Sequence, residues 1–205
     1  MNKYKLYLRD PQTERLTEVD EIPGIKVNVN PEFGGENSKI IVGARNRFFS
    51  CSITLTKNNI IDIAPSRWKI RKLDLLCEVG SNLIVAQDFS SHSVSMDIQE
   101  GKTIRIGKDC QFSSGIKLRT GDGHPIFTSD NVVINRGKDI IVGDHVWVGQ
   151  DVTLLKGAII PDGSVVGIGS MVTKAFATDN VVIVGNPARI VKENIHWTRD
   201  LLSRM

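Results

Sequence analysis

The chain has 205 residues, 40% of them apolar and 24% charged, with a net charge of +3, proportions that suit one soluble domain with a sizeable core. The positive excess is too small and scattered for a nucleic-acid surface, so anionic small ligands are the better candidates. No stretch is long and apolar enough to cross a bilayer, and the three cysteines, Cys51, Cys77 and Cys110, are odd in number and lack CxxC spacing, which excludes a disulfide framework and a zinc ribbon and leaves buried thiols in a reducing compartment.

Residues 1–37 read as a capping segment. Tyr4, Leu6 and Leu8 alternate with charged residues as in a strand, without the continuous apolar run of a signal peptide, so cytoplasmic residence is expected. A charged turn from Asp10 to Glu21 leads to a second alternating run, Ile25, Val27 and Val29. Together they would cover the open edge of whatever sheet follows.

From about residue 38 a phrase recurs: Ile40-Ile41-Val42-Gly43, Ile61-Asp62-Ile63-Ala64, Leu83-Ile84-Val85-Ala86, Ile104-Arg105-Ile106-Gly107 and Ile140-Ile141-Val142-Gly143. The steps between third residues are 21, 22, 21 and 36, which suggests coils of about eighteen residues with corner insertions, the last step being two coils. A coil at 124 then completes the series 42, 63, 85, 106, 124, 142 and 160, about seven coils. Such a column would be on the order of 30 Å tall at strand spacing. Within it, Arg67-Trp68-Lys69-Ile70-Arg71-Lys72 mixes cations with an aromatic residue; a coil-corner insertion explains it more simply than contact with a polyanion. The segment 121–138 is polar, rich in Gly, Asp and Asn, and interrupts the repeat, as a functional loop would.

Between Val142 and Thr173 the period is six. Val142, Val148, Leu154, Ile160, Val166 and Val172 open successive blocks, and Val146, Val152, Ala158, Ser164 and Ser170 stand four places on. A period of six is neither helical nor simply alternating; it fits three short strands per coil of a parallel β-helix, with the small residue pointing inward at a corner. The tail, residues 193–205, places Trp197, Leu201 and Met205 four apart behind Asn194, the pattern of a short capped helix. The expected organisation is therefore a cap (1–37), a β-helix (38–192) carrying the loop 121–138, and a C-terminal helix.

Three constellations carry possible chemistry. Gly121-Asp122-Gly123-His124-Pro125 leaves an imidazole accessible in the loop, suited to take a proton from an alcohol attacking a carbonyl; a loop histidine without a role remains open. Trp147 should point outward, where an indole needs an interface or a ligand, or the chain's own loop, against it. Thr173, Lys174, Arg189 and Lys192 bring a hydroxyl and cations towards the last coil, as a phosphate clamp or as a solvated face.

In combination and in this order, Gly123-His124-Pro125, Val146-Trp147-Val148-Gly149, Gly167-Ile168-Gly169-Ser170 before Val172-Thr173-Lys174, and Gly185-Asn186-Pro187-Ala188-Arg189 resemble the hexapeptide-repeat acyltransferases, in the branch of the galactoside, maltose and surface-polysaccharide O-acetyltransferases. The resemblance covers about Ile104 to Lys192. It implies an all-β, left-handed triangular prism, where parallel strands would otherwise be joined in the right-handed sense. It further implies a homotrimer with active sites between subunits, acetyl-CoA as co-substrate, no metal, and a sugar or glycan acceptor. Position by position it makes His124 the catalytic base; Trp147, Gln150, Ile168, Thr173, Lys174, Arg189 and Lys192 the acetyl-CoA contacts; and Asp122 and Trp147 the acceptor contacts. Transfer would be direct, because Cys110 should be buried and uncharged. The alternatives are an N-acetyltransferase acting on an amino sugar or an antibiotic, a γ-class carbonic anhydrase using His92, His124 and His145 on zinc, and a non-catalytic β-helix scaffold.

Overall fold

The computed structural model describes residues 4–200 and Ser203. The chain winds into an all-β, left-handed parallel β-helix with three flat faces of 8, 8 and 7 strands. The first face stacks Lys5–Arg9, Lys39–Gly43, Ile60–Ile63, Asn82–Val85, Thr103–Ile106, Ile140–Val142 and Ile159–Ile160 in parallel, with Leu16–Val19 antiparallel at its end. The second stacks Arg47–Phe49, Lys69–Arg71, Ser90–Ser91, Gln111–Phe112, Trp147–Val148, Val165–Val166 and Val182–Gly185, closed by antiparallel Ala188–Lys192. The third runs Ile25–Val29, Cys51–Leu55, Leu73–Cys77, Val94–Ile98, Ile116–Arg119, Thr153–Leu155 and Met171–Val172.

Alternation along each short strand sends every second side chain into the prism. Val42, Ile63, Val85, Ile106, Val142 and Ile160 stand directly over one another in register and are at most 2% exposed. The small residues read from the period of six, Val146, Val152, Ala158, Ser164 and Ser170, are all buried at corners. Another corner position repeats in the left-handed backbone region, filled by Asp88, Asp109, His145, Gly163 and Asn180 with φ between 53° and 65°. Asp, Asn and Gly tolerate that conformation best. At the next corner Gly115 has φ 72° and Asp151, one coil on, has φ 55°; a Cβ at Gly115 would lie 2.1 Å from Asp151 Oδ1, so a larger residue there would have to displace that carboxylate.

The coil count of about seven holds, but its ends and middle differ from the sequence expectation. The parallel stack starts at Lys5–Arg9, where Leu8 pairs with Val42, so the first coil lies within the residues expected to be only a cap. No coil exists at 124: Ile106 pairs directly with Val142, and the step of 36 is a single coil carrying the loop 121–138. A solenoid coil contacts only its neighbours, so an insertion at a corner leaves the register above and below intact.

The helix expected from Asn194 is absent over residues 193–200, which form an irregular strap, while Leu201 and Met205 lie outside the described residues. Asn194 takes φ 56° and Ile195 N–H donates to Asn180 O at 2.9 Å, which leads the chain back along the second face. Side-chain contacts made by Trp197 and Arg199 override the helical spacing.

Candidate active site

The loop that carries His124 leaves the third face after Arg119 and returns to the first face at Ile140. Its ends are pinned by Lys138 N–H donating to Thr120 O at 3.0 Å and Gly137 N–H donating to Glu100 Oε2 at 3.0 Å. Its middle folds as a small hairpin, with Phe127 bridged to Val133 and Ile134 N–H donating to Ile126 O at 2.9 Å. Asn135 sets the turn at the histidine: its amide donates to His124 O and to Asp122 Oδ2, both at 2.9 Å, and its Oδ1 accepts Ile126 N–H at 2.7 Å. Lys156 ties Asp122 to the coil by an ion pair and donates to Asn135 O at 2.7 Å. The Lys156 contact first, then Asn135, hold the Asp122 carboxyl below its ordinary pKa. Asp122 is thus a strut of the loop, and His124 sits exposed beside a cavity of about 280 Å³ that also meets Glu78, Glu100 and Arg136.

A second cleft lies on the second face, about 350 Å³ in volume, lined by Trp147, Gly149, Gln150, Val165 and Ile168. Trp147 points outward as expected and is 39% exposed; Ile168 is 71% exposed. Gly169 N–H donates to Gln150 O at 2.8 Å, locking the two turns that bear Gln150 and Ile168 together. The slot is predominantly apolar with amide groups at its edge, a shape that suits a slender chain of amides and methylenes.

The strap backs this cleft. Trp197 lies 6.0 Å from Trp147 between ring centroids and stacks on His145 at 4.1 Å and 10°. Its indole N–H donates to His145 O at 2.9 Å. His145 faces Asp109 Oδ2 through Nδ1 at 2.8 Å and Trp197 O through Nε2 at 3.0 Å. Arg199 then reaches down the face to Asp109 Oδ1 at 2.8 Å, Ser90 Oγ at 2.9 Å and Cys110 O at 3.0 Å. Arg199, Asp109 and Asn135 carry no signal in the sequence, and Trp197 stands out only for a helical spacing that does not foretell its contacts; the partners of the strap residues are about 50 to 110 positions away.

Thr173, Lys174, Arg189 and Lys192 are exposed at the C-terminal end of the prism, and none of the four lines either cavity. Lys174 rests over the Phe176 ring at 5.2 Å, and Arg189 donates to Ala188 O at 2.8 Å. His92, His124 and His145 lie on the second face, in the loop and at a corner, and among the described residues no group of three metal-ligating side chains assembles. Cys110 is buried, its thiol pushed up to about 12 by desolvation.

The chain is 39% identical over 171 residues to a polysialic acid O-acetyltransferase of Neisseria meningitidis, covering 82% of this chain and 78% of that one. It belongs to the hexapeptide-repeat O-acetyltransferases. No family model matches it. The polysialic acid O-acetyltransferase of Escherichia coli O1:K1 is 36% identical over 129 residues, 62% of this chain and 42% of that protein, so the match spans under half of that relative's length. The crystal structure of a polysialic acid O-acetyltransferase superposes with a TM-score of 0.75 at 33% identity, covering 89% of this chain and 91% of the other. This acetyltransferase shares the prism fold with that structure, and no helix among its described residues is long and apolar enough to cross a membrane.

Proposed function

We propose that this acetyltransferase moves an acetyl group from acetyl-CoA to a hydroxyl of an acidic polysaccharide, as a cytoplasmic homotrimer with His124 as general base. The observation that carries this reading is the separation of the two candidate halves. The His124 loop projects from the corner between the third and first faces, whereas Trp147, Gln150 and Ile168 lie on the second face, across the prism. Within one chain the two cavities share no lining residue, and the loop of one chain laid on the second face of the next would bring the halves together. Ile126, Phe127, Val132 and Ile134 on that loop are each more than half exposed and would supply apolar area for the contact. The polysialic acid relatives support an acidic glycan as acceptor.

In the proposed step the sugar hydroxyl gives its proton to His124 as its oxygen attacks the thioester carbonyl. The tetrahedral intermediate then collapses, the C–S bond breaks, and the imidazolium returns the proton to the departing thiolate. Lys174, Arg189 and Lys192 would meet the nucleotide phosphates and Thr173 the arm of the donor. The test is His124→Ala, which should lower turnover by at least about a hundredfold while acetyl-CoA binding is retained. Mixed trimers of inactive His124→Ala and Trp147→Ala chains should regain part of the activity. Wild-type turnover in the first variant, or a monomeric protein in solution, would overturn the reading.

A further inference from the structure

The second face below Trp147 carries outward side chains that acetyl transfer leaves unused. In register, Arg47 stacks on Lys69, the next rungs are Ser90 and Gln111, and Gln111 pairs with Trp147. This makes a straight rail of four steps, roughly 19 Å long at strand spacing. Beside its lower rungs lies a groove of about 400 Å³ lined by Arg47, Trp68, Lys69, Arg71, His92 and Arg199. Trp68 in the groove and Phe49, in register with Arg71 at its edge, are 36% and 45% exposed, each flanked by cations: Arg199 at 4.8 Å and Arg67 at 5.5 Å from the Trp68 ring, Lys69 at 5.7 Å and Arg71 at 6.0 Å from the Phe49 ring.

Asp109 balances the charge of Arg199, and Asp88 that of Arg67. Among the described residues no carboxylate pairs with Arg47, Lys69 or Arg71. Exposed rings flanked by cations, of which Lys69 and Arg71 beside Phe49 are unpaired, match an acidic sugar, whose apolar ring face can lie on an aromatic plane while its carboxylate meets guanidinium or ammonium groups. A single-stranded nucleic acid would also stack on such rings; the polysialic acid relatives favour the acidic sugar, and DNA is the competing outcome of the test. The distance from these cations to Trp147 exceeds the reach of a single sugar, so a ligand that uses both must be a chain.

Resting on the proposed acetylation of an acidic polysaccharide, we infer that this groove is a separate binding rail that holds several successive acidic sugars below Trp147 and makes the enzyme favour polymeric over short acceptors.

Binding and kinetics with polysialic acid of graded length, neutral dextran and single-stranded DNA test the inference. Affinity for polysialic acid should rise with chain length, and dextran should not bind. The triple variant Arg47→Gln/Lys69→Gln/Arg71→Gln should bind long chains about tenfold more weakly, with KM on them rising by a similar factor. Its KM and kcat on a disialyl acceptor should stay at wild-type values. The charge-reversed pair Arg47→Glu/Lys69→Glu, which leaves Arg71 in place, should lose at least as much. The difference should vanish near 1 M salt, where charges are screened beyond about 3 Å. Unchanged affinity in both variants, equal binding of dextran, tighter binding of DNA, or a KM independent of length would overturn the rail. Length-independent KM with active transfer would leave the acetylation standing, whereas charge-dependent binding of long chains without transfer to any acceptor would leave the rail and remove the activity.

Discussion

Arg199 is the residue whose loss should be felt most clearly, and in a particular way. Its side chain is 14% exposed, pairs with Asp109 at 2.8 Å and donates to Ser90, Gln111, Asp88 and Cys110 at 2.9 to 3.3 Å. Removing one partner of a well-buried ion pair costs about 3–5 kcal/mol, but this groove is open to water and the freed acceptors can be solvated, so about 2–3 kcal/mol is the better figure for Arg199→Ala. That loss should fall on the strap, residues 193–200, and not on the prism, because the strap can peel away while the coils stay stacked. The local opening constant should then rise by about thirty- to a hundred-and-sixtyfold. Trp197, 8% exposed in the native state, would report it. Expected are a red shift of tryptophan emission, faster proteolysis within the strap, under the proposed function a weaker grip on acetyl-CoA through the released Trp147 wall, and almost no change in the melting temperature of the β-helix. Arg199→Lys should recover only part, since an ammonium cannot fork between so many oxygens. A protected strap with unchanged emission in the alanine variant, or a collapse of the whole fold, would refute the reasoning.

Asp122 makes the His124 loop acid-sensitive in a defined direction. Its folded pKa is depressed by Lys156 and Asn135, so its stabilising contribution is complete above the ordinary carboxylate range and fades as pH falls through the lowered folded value; proteolytic protection of the loop should follow that curve, and Asp122→Asn should flatten it. Ala158, fully buried at a corner, has no space for a larger side chain, so Ala158→Leu should cost about 1–3 kcal/mol and lower the melting temperature by roughly 3–10 °C in calorimetry. Cys110, buried and donating to Gly143 O at 3.1 Å, should resist alkylation in the native protein, and Cys110→Ser should retain transfer activity.

What the sequence revealed is what one coil imposes on the next. Inward valines and isoleucines, small corner residues and the outward Trp147 recur at fixed intervals because each coil meets the same neighbours, so the period of six translates directly into position. Spacing alone misled where two structures share an interval. A step of 36 residues fits two plain coils or one coil with a long corner loop, and only the pairing of Ile106 with Val142 distinguishes them. Leu6 and Leu8 alternate like any edge strand, and their parallel pairing to Ile40 and Val42 leaves no local mark. The tail shows the opposite failure. Trp197 has helical spacing to residues 201 and 205, yet its ring on His145 and Arg199 on Asp109 outweigh the local preference of a short segment whose isolated helix would be marginal in water.

Asp109 explains why the strap can reach so far into the candidate site. It occupies the left-handed corner position one coil below His145, so 36 residues of sequence, loop included, shrink to a single rung, and one carboxylate meets the imidazole through Oδ2 and the guanidinium through Oδ1. His145 in turn presents the flat surface on which Trp197 stacks, and Trp197 stands behind Trp147. The chain of contacts from Arg199 to the cleft therefore runs through positions fixed by the coil corners, which cannot shift singly without breaking the stack above and below. Loop and strap are irregular in themselves, but each is fastened to such a corner: the loop by Lys156 and Glu100, the strap by Asp109 and His145. The coils themselves line the cleft at Trp147, and the two irregular segments add to it with the precision of the solenoid's register: the loop a cavity beside His124, the strap a backing for Trp147.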